Sequence, residues 1–166
     1  MFKKMFGKSE PQSKKLEIVS PITGEYVAIE DIPDPVFAQK MMGEGFGIMP
    51  TEGIVAAPIS GEVVNVFPTK HAIGIKAENG VELLIHVGLE TVAMKGAGFK
   101  THISQGDIVQ KGDTLLEFDI TLIEKEASSI ISPVIITNSD VLSEIKFENQ
   151  TLLTKGETPV MTVEMK

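Results

Sequence analysis

The chain has 166 residues, 42% apolar and 23% charged, which suits one soluble domain around a single core and excludes a disordered or fibrous polymer. Its 15 basic and 23 acidic residues leave a net charge of −8, so a nucleic-acid backbone is a poor partner and a basic protein surface a fitting one. The absence of cysteine removes disulfides, thiolate catalysis and cysteine-type zinc sites together, and no apolar run is long enough to span a bilayer, so the cytoplasm is the expected compartment.

Residues 1–15 mix Lys3, Lys4, Lys8, Lys14 and Lys15 with Phe2, Met5 and Phe6, interrupted by Gly7 and Pro11, and are read as a flexible tail. A short helix there would set Phe2, Met5 and Phe6 against lysines, a faint membrane-surface pattern that ranks below a solvated terminus. Residues 16–166 are read as one domain. Within them short Val- and Ile-rich runs alternate with Gly, Pro, Asn and Asp, as in Ser20-Pro21-Ile22-Thr23-Gly24-Glu25-Tyr26-Val27 and Ile131-Ser132-Pro133-Val134-Ile135-Ile136. Runs of this length bounded by turn residues predict an all-β antiparallel sandwich or barrel. Helix is expected only as one or two short turns, over Pro35 to Met41 and Thr121 to Ser128.

The sequence also repeats itself. Pro-Ile-(Thr/Ser)-Gly-Glu-x-Val occurs at Pro21 and at Pro58, and Lys111-Gly112-Asp113-Thr114 is echoed by Lys155-Gly156-Glu157-Thr158. Two copies are too few for a solenoid, so an internally duplicated β-sandwich is the better expectation.

Between Gly80 and Gly88 the run Val81 to Val87 reads as a strand whose Val81, Leu83, Ile85 and Val87 face one way, and Glu82, Leu84 and His86 the other. His86 is thus held on a rigid strand with its ring accessible. Asn79-Gly80 is a hairpin signal, and counting outward from it sets His71 and His86 at neighbouring heights on paired strands. His71 is then either the second imidazole of a shared site or a core histidine on the face of Ile73 and Ile75; the third histidine, His102, reads as a surface loop residue. Such a pair fits a metal site, acid–base catalysis or nucleophilic histidine chemistry. The chain has no His-x-His or His-Glu-x-x-His pattern for hydrolytic zinc, and no glycine-rich phosphate cradle.

The stretches Ile29-Glu30-Asp31-Ile32-Pro33-Asp34-Pro35-Val36-Phe37-Ala38, Thr69-Lys70-His71-Ala72, Gly80-Val81-Glu82-Leu83-Leu84-Ile85-His86-Val87-Gly88 and Gly156-Glu157-Thr158-Pro159-Val160, with Pro21-Ile22-Thr23-Gly24, Thr91-Val92, Lys95-Gly96 and Gly98-Phe99, closely resemble the glucose-type enzyme IIA component of the bacterial phosphoenolpyruvate-dependent sugar phosphotransferase system. The resemblance runs from about Leu16 to the carboxyl terminus. It implies an antiparallel β-sandwich that accepts a phosphoryl group from the histidine-containing phosphocarrier protein and passes it to a cysteine on the IIB domain of a membrane sugar permease. Carried over residue by residue, His86 resembles the phosphoryl acceptor, His71 its hydrogen-bonding neighbour and Thr69 the residue that orients His71. Val36, Phe37, Phe67, Leu84 and Val92 resemble an apolar docking collar, and Asp34 and Glu90 its acidic groups. Leu84 stands where an aromatic is common in the family, and Glu90 where an aspartate is expected. The family also implies no required cofactor, a zinc ion that a partner's carboxylate could complete at His71 and His86, and regulated transporters or kinases as further partners.

A second class also matches part of the chain. Ala57-Pro58-Ile59-Ser60-Gly61-Glu62-Val63-Val64 and Gly106-Asp107-Ile108-Val109 also resemble biotinyl and lipoyl carrier modules, which need a lysine at a hairpin tip, whereas the nearest candidate, Glu164-Met165-Lys166, is the chain end. A regulatory protein acting through the same face is compatible with the first reading.

Overall fold

The structure, a computed structural model, describes residues 15–166; the expected tail lies outside them except for Lys15, which opens the first strand. In chain order the strands are β1 (Lys15–Val19), β2 (Gly24–Ala28), β3 (Glu44–Pro50), β4 (Ile54–Ala56), β5 (Gly61–Val66), β6 (Ala72–Lys76), β7 (Glu82–His86), β8 (Phe99–Thr101), β9 (Ile108–Val109), β10 (Thr114–Phe118), β11 (Ser132–Ile136), β12 (Leu142–Phe147), β13 (Leu152–Leu153) and β14 (Pro159–Met165). They form an eight-stranded sheet of order β13-β2-β3-β11-β7-β6-β5-β9 and two three-stranded sheets, β1-β14-β12 and β4-β10-β8. Every pairing is antiparallel.

β7 lies at the middle of the large sheet between β6 and β11, which explains its nearly continuous apolar sequence. Leu83 and Ile85 are buried in the main core with Phe46, Ile48, Ile73, Ile75, Leu115 and Val163. A smaller core of Ile29, Ile32, Phe37, Leu89 and Ile135 lies apart from it. That satellite cluster seats α1 (Pro35–Ala38), whose buried residue is Phe37.

The duplication is visible as an interlock. Val19 N–H donates to the Pro58 carbonyl at 3.2 Å, and Ala56 N–H donates to the Pro21 carbonyl at 2.8 Å. Each Pro-Ile turn also holds one Lys-Gly turn, through Gly156 N–H to Ser20 O (2.7 Å) and Gly112 N–H to Ala57 O (2.9 Å). The two glycines meet, since a Cβ on Gly156, at φ +73°, would lie 3.1 Å from Gly112 Cα. A side chain at Gly156 would strain the left-handed backbone and press on Gly112, which favours glycine there.

The helices are shorter than the sequence suggests. α1 ends at Ala38 because Gln39 caps it and Lys40 turns left-handed (φ 61°), its Nζ 3.6 Å from Glu30 and 3.4 Å from Glu44. α2 (Ile120–Glu126) begins one residue earlier than expected, where the Asp119 side chain accepts from Leu122 N–H. Both starts carry an aspartate cap of the kind that ends short helices cleanly. Three 3₁₀ turns, Ile29–Asp31, Thr91–Met94 and Ser139–Val141, have no periodic signal to announce them.

Candidate functional site

The hairpin β6–β7 brings the two histidines together, with Ala72 opposite His86 and Lys76 opposite Glu82. Its loop carries the Asn79-Gly80 turn expected from the sequence. It spans 77–81, closed by Ala77 N–H to Val81 O at 2.8 Å, with the Asn79 Oδ1 accepting from Val81 N–H. The register therefore sets His71 one step beyond the last pair, where its carbonyl accepts from Val87 N–H at 2.7 Å. The ring centroids of His71 and His86 are 4.9 Å apart and nearly perpendicular, at 77°.

Each ring has one nitrogen occupied. His86 Nδ1 lies 2.8 Å from the Gly88 carbonyl, which can only accept, so Nδ1 carries the hydrogen and a neutral ring keeps its lone pair on Nε2. Gly88 itself is fixed: Ser132 Oγ accepts its N–H at 3.0 Å and donates to Ile130 O at 2.9 Å. A side chain at Gly88 (φ +73°) would meet Thr91 Cγ2 at 2.7 Å and the Ser129 carbonyl at 3.0 Å. On the other ring, His71 Nδ1 is 2.6 Å from Thr69 Oγ1. Lys70, between them, is left-handed (φ 63°), which folds Thr69 back over the ring that follows it.

Both imidazoles are biased neutral. His71 is only 3% exposed, and loss of solvation, reinforced by the nearby His86, lowers its pKa from 6.5 to about 4. Burial also lowers the pKa of His86, opposed by the bond to Gly88 and by the carboxylate of Asp34.

The remaining candidates surround this pair. Phe37 packs its ring 5.3 Å from His86, and Phe67 packs edge-on to His71 at 5.4 Å. Asp34 caps α1, accepting from Val36 N–H at 3.0 Å, and is close enough to His86 to influence its charge. The collar is uneven, however. Phe37 is 5% exposed and Leu84 is likewise buried, whereas Val36 (41%) and Val92 (56%) stand out into solvent. Glu90, exposed and left-handed (φ 62°), precedes the Thr91–Met94 turn that carries Val92. Thr91 is buried, its hydroxyl donating to Val87 O at 2.6 Å. Neither Thr91 nor Ser132 is marked as a site residue by the sequence, although both lie in stretches quoted above, Thr91-Val92 and Ile131-Ser132-Pro133. His102 lies apart, on the surface as expected, with its Nε2 2.6 Å from Glu117 Oε2.

Residues 16–142 match the family described as phosphoenolpyruvate-dependent sugar phosphotransferase system, EIIA 1. The chain belongs to that family. It is 60% identical to the PTS system glucose-specific EIIA component of Staphylococcus epidermidis over 98% of both chains. It is 58% identical to the protein of the same description from Staphylococcus aureus over 99% of both. Among solved structures, glucose permease IIA from Mycoplasma capricolum superposes with a TM-score of 0.81 at 36% identity, covering 90% of this chain and 96% of that one. The fold class, the membership and the role as a phosphotransferase component expected from the sequence thus stand, and the biotinyl or lipoyl module gives way to them. As an EIIA component the chain is a phosphoryl-transfer member of the system. Among the described residues no group of three or more His, Cys, Asp or Glu could hold a metal, and no helix is long and apolar enough to cross a membrane.

Proposed function

We propose that His86 Nε2 accepts a phosphoryl group from the histidine-containing phosphocarrier protein and passes it to a cysteine on the IIB domain of a glucose-type permease. One observation carries the reading: the hydrogen of His86 is committed to the Gly88 carbonyl, which leaves Nε2 as a neutral nucleophile beside a second neutral imidazole. In acceptance the Nε2 lone pair forms the new N–P bond while the bond to the carrier's histidine breaks and its electron pair returns to that ring. In donation the thiolate attacks phosphorus and the pair returns to His86. Such loose transfers ask a protein mainly for in-line positioning and charge stabilisation.

His71 supplies the stabilisation. When the Thr69 hydroxyl donates to Nδ1, the neutral ring of His71 carries its hydrogen on Nε2 and offers it to the phosphoryl oxygens. Buried Phe37 and half-buried Phe67 brace the two rings, and exposed Val36 and Val92 with Asp34 and Glu90 meet the partner. This acidic rim suits a basic docking surface and would speed association more than it tightens binding. Zinc could use the two imidazoles only with ligands brought by a partner, since the described residues add no third. Transporters or kinases regulated through the same face remain part of the proposal as partners.

The test is an intact mass after incubation with phosphoenolpyruvate and the general carrier system. One acid-labile phosphoryl group is expected on the parent and none on His86→Ala; an undiminished adduct on the variant would refute the assignment.

A further inference from the structure

The chain has no cysteine, so the sulfur open to oxidation is thioether sulfur. Of the six methionines among the described residues, Met94 and Met161 are buried, Met49 and Met165 are half-buried, and Met41 and Met42 are consecutive and outward, at 70% and 37% exposure. They also sit where oxidation would be felt. Met41 N–H bonds to the carbonyl of Val36 at 3.1 Å, which sets it beside the exposed collar, and Met42 lines a groove of about 360 Å³ with Phe67 and Leu84. The turn that carries them is pinned rather than loose: Lys40 bridges Glu30 and Glu44, and Gly43 N–H closes onto Lys40 O at 3.2 Å. A flexible, polarisable thioether suits a face that must accept more than one partner, and a sulfoxide does not, being polar and chiral.

We infer that Met41 and Met42 are a reversible oxidation site through which a hydroperoxide weakens partner docking, an inference that rests on the docking face proposed above. In the step the thioether sulfur takes one oxygen as the peroxide O–O bond breaks; the sulfur is oxidised by two electrons, and the remainder of the peroxide leaves as water from hydrogen peroxide or as an alcohol from an organic hydroperoxide. No group of the transfer chemistry is touched. The modification therefore acts on the association of the two proteins and leaves the rate within the complex alone. A methionine sulfoxide reductase restores the thioether, two thiols supplying the electrons as they become a disulfide and the oxygen leaving as water.

The experiment treats the unphosphorylated protein with hydrogen peroxide, maps added oxygen by peptide mass, and measures phosphoryl acceptance against carrier concentration before and after. The result expected is oxygen on Met41 and Met42 ahead of Met94 and Met161, with the KM for the carrier raised about fivefold, the scale of one interface residue losing its contact, and kcat held. Reductase treatment is expected to return KM to its starting value. A Met41→Leu/Met42→Leu protein, compared with its own untreated rate, is expected to be insensitive to peroxide. An unchanged KM with both sulfoxides in place, or an equal rise in the leucine protein, overturns the inference. Val92→Lys, measured in parallel without oxidant, separates the two levels. If Val92→Lys raises KM and oxidation does not, the oxidation site alone fails; if neither does, the docking face fails and takes the inference with it.

Discussion

At His71 the fold holds a titratable group in a place where its proton is expensive. A depressed histidine pKa means that the unfolded chain binds the proton more readily than the folded one. Above pH 6.5 both states are neutral at this residue; between 6.5 and about 4 the unfolded state gains protons that the native ring resists; below that the effect is complete. Stability should therefore fall with pH across this window, and His71→Gln should flatten the fall. Denaturant midpoints of the two proteins at pH 7 and pH 4.5 check this. Thr69→Val removes the 2.6 Å partner of Nδ1, and is expected to slow donation to the IIB cysteine roughly ten- to a hundredfold while acceptance changes less. Single-turnover rates for the two half-reactions separate them. The pairing of His71 with His86 was legible by counting residues outward from Asn79, because strand register converts sequence distance into height. The bond from His86 to the Gly88 carbonyl was not, since it depends on a backbone oxygen turned by a left-handed glycine.

The elements around the pair owe their positions to caps and turns more than to propensity. α1 has only four residues, too few to persist without help. Its supports are the Asp34 cap and Phe37 in the satellite core, so Asp34→Ala should cost about 1 kcal/mol of stability and loosen the Phe37 ring against His86. Thermal unfolding would register the loss. Gly88→Ala should cost more, about 2 kcal/mol, because it adds a clash with Thr91 to a left-handed backbone. A one-turn helix shows no periodicity, so sequence alone could not tell which of Val36 and Phe37 faces outward. The structure exposes Val36 and buries Phe37: a lysine at Val36 should impair the proposed docking with the fold intact, whereas one at Phe37 would disturb the core first. Circular dichroism beside transfer rates would distinguish the two substitutions.

At the scale of the whole molecule the antiparallel sandwich was readable from alternating runs and turn residues, and the duplication from the paired Pro-Ile and Lys-Gly motifs. How the copies lock together was not, because it rests on backbone groups that every residue possesses. Neither copy satisfies its turns alone, so Gly156→Val should destabilise both halves together and keep unfolding a single transition. Coincident denaturation curves by far-ultraviolet dichroism and tyrosine fluorescence check that, with Tyr26 on β2 as the reporter. The sheet also joins the extremes of the described chain, since Lys15 pairs with Glu164, and such non-local pairing predicts folding in milliseconds to seconds.

That same closure decides where the protein can be held. The end of β14 reaches the tip of the β6–β7 hairpin, where a Cβ on Gly80 would touch Met165 at 3.7 Å, while the histidines lie at the hairpin's open end. Five residue pairs, Ala72 to Lys76 against His86 to Glu82, separate them, roughly 13–17 Å of strand. An anchor attached through Lys166, whether a fused domain, a bead or a surface, would thus grip the molecule by its heel and leave the histidine-bearing toe swinging free.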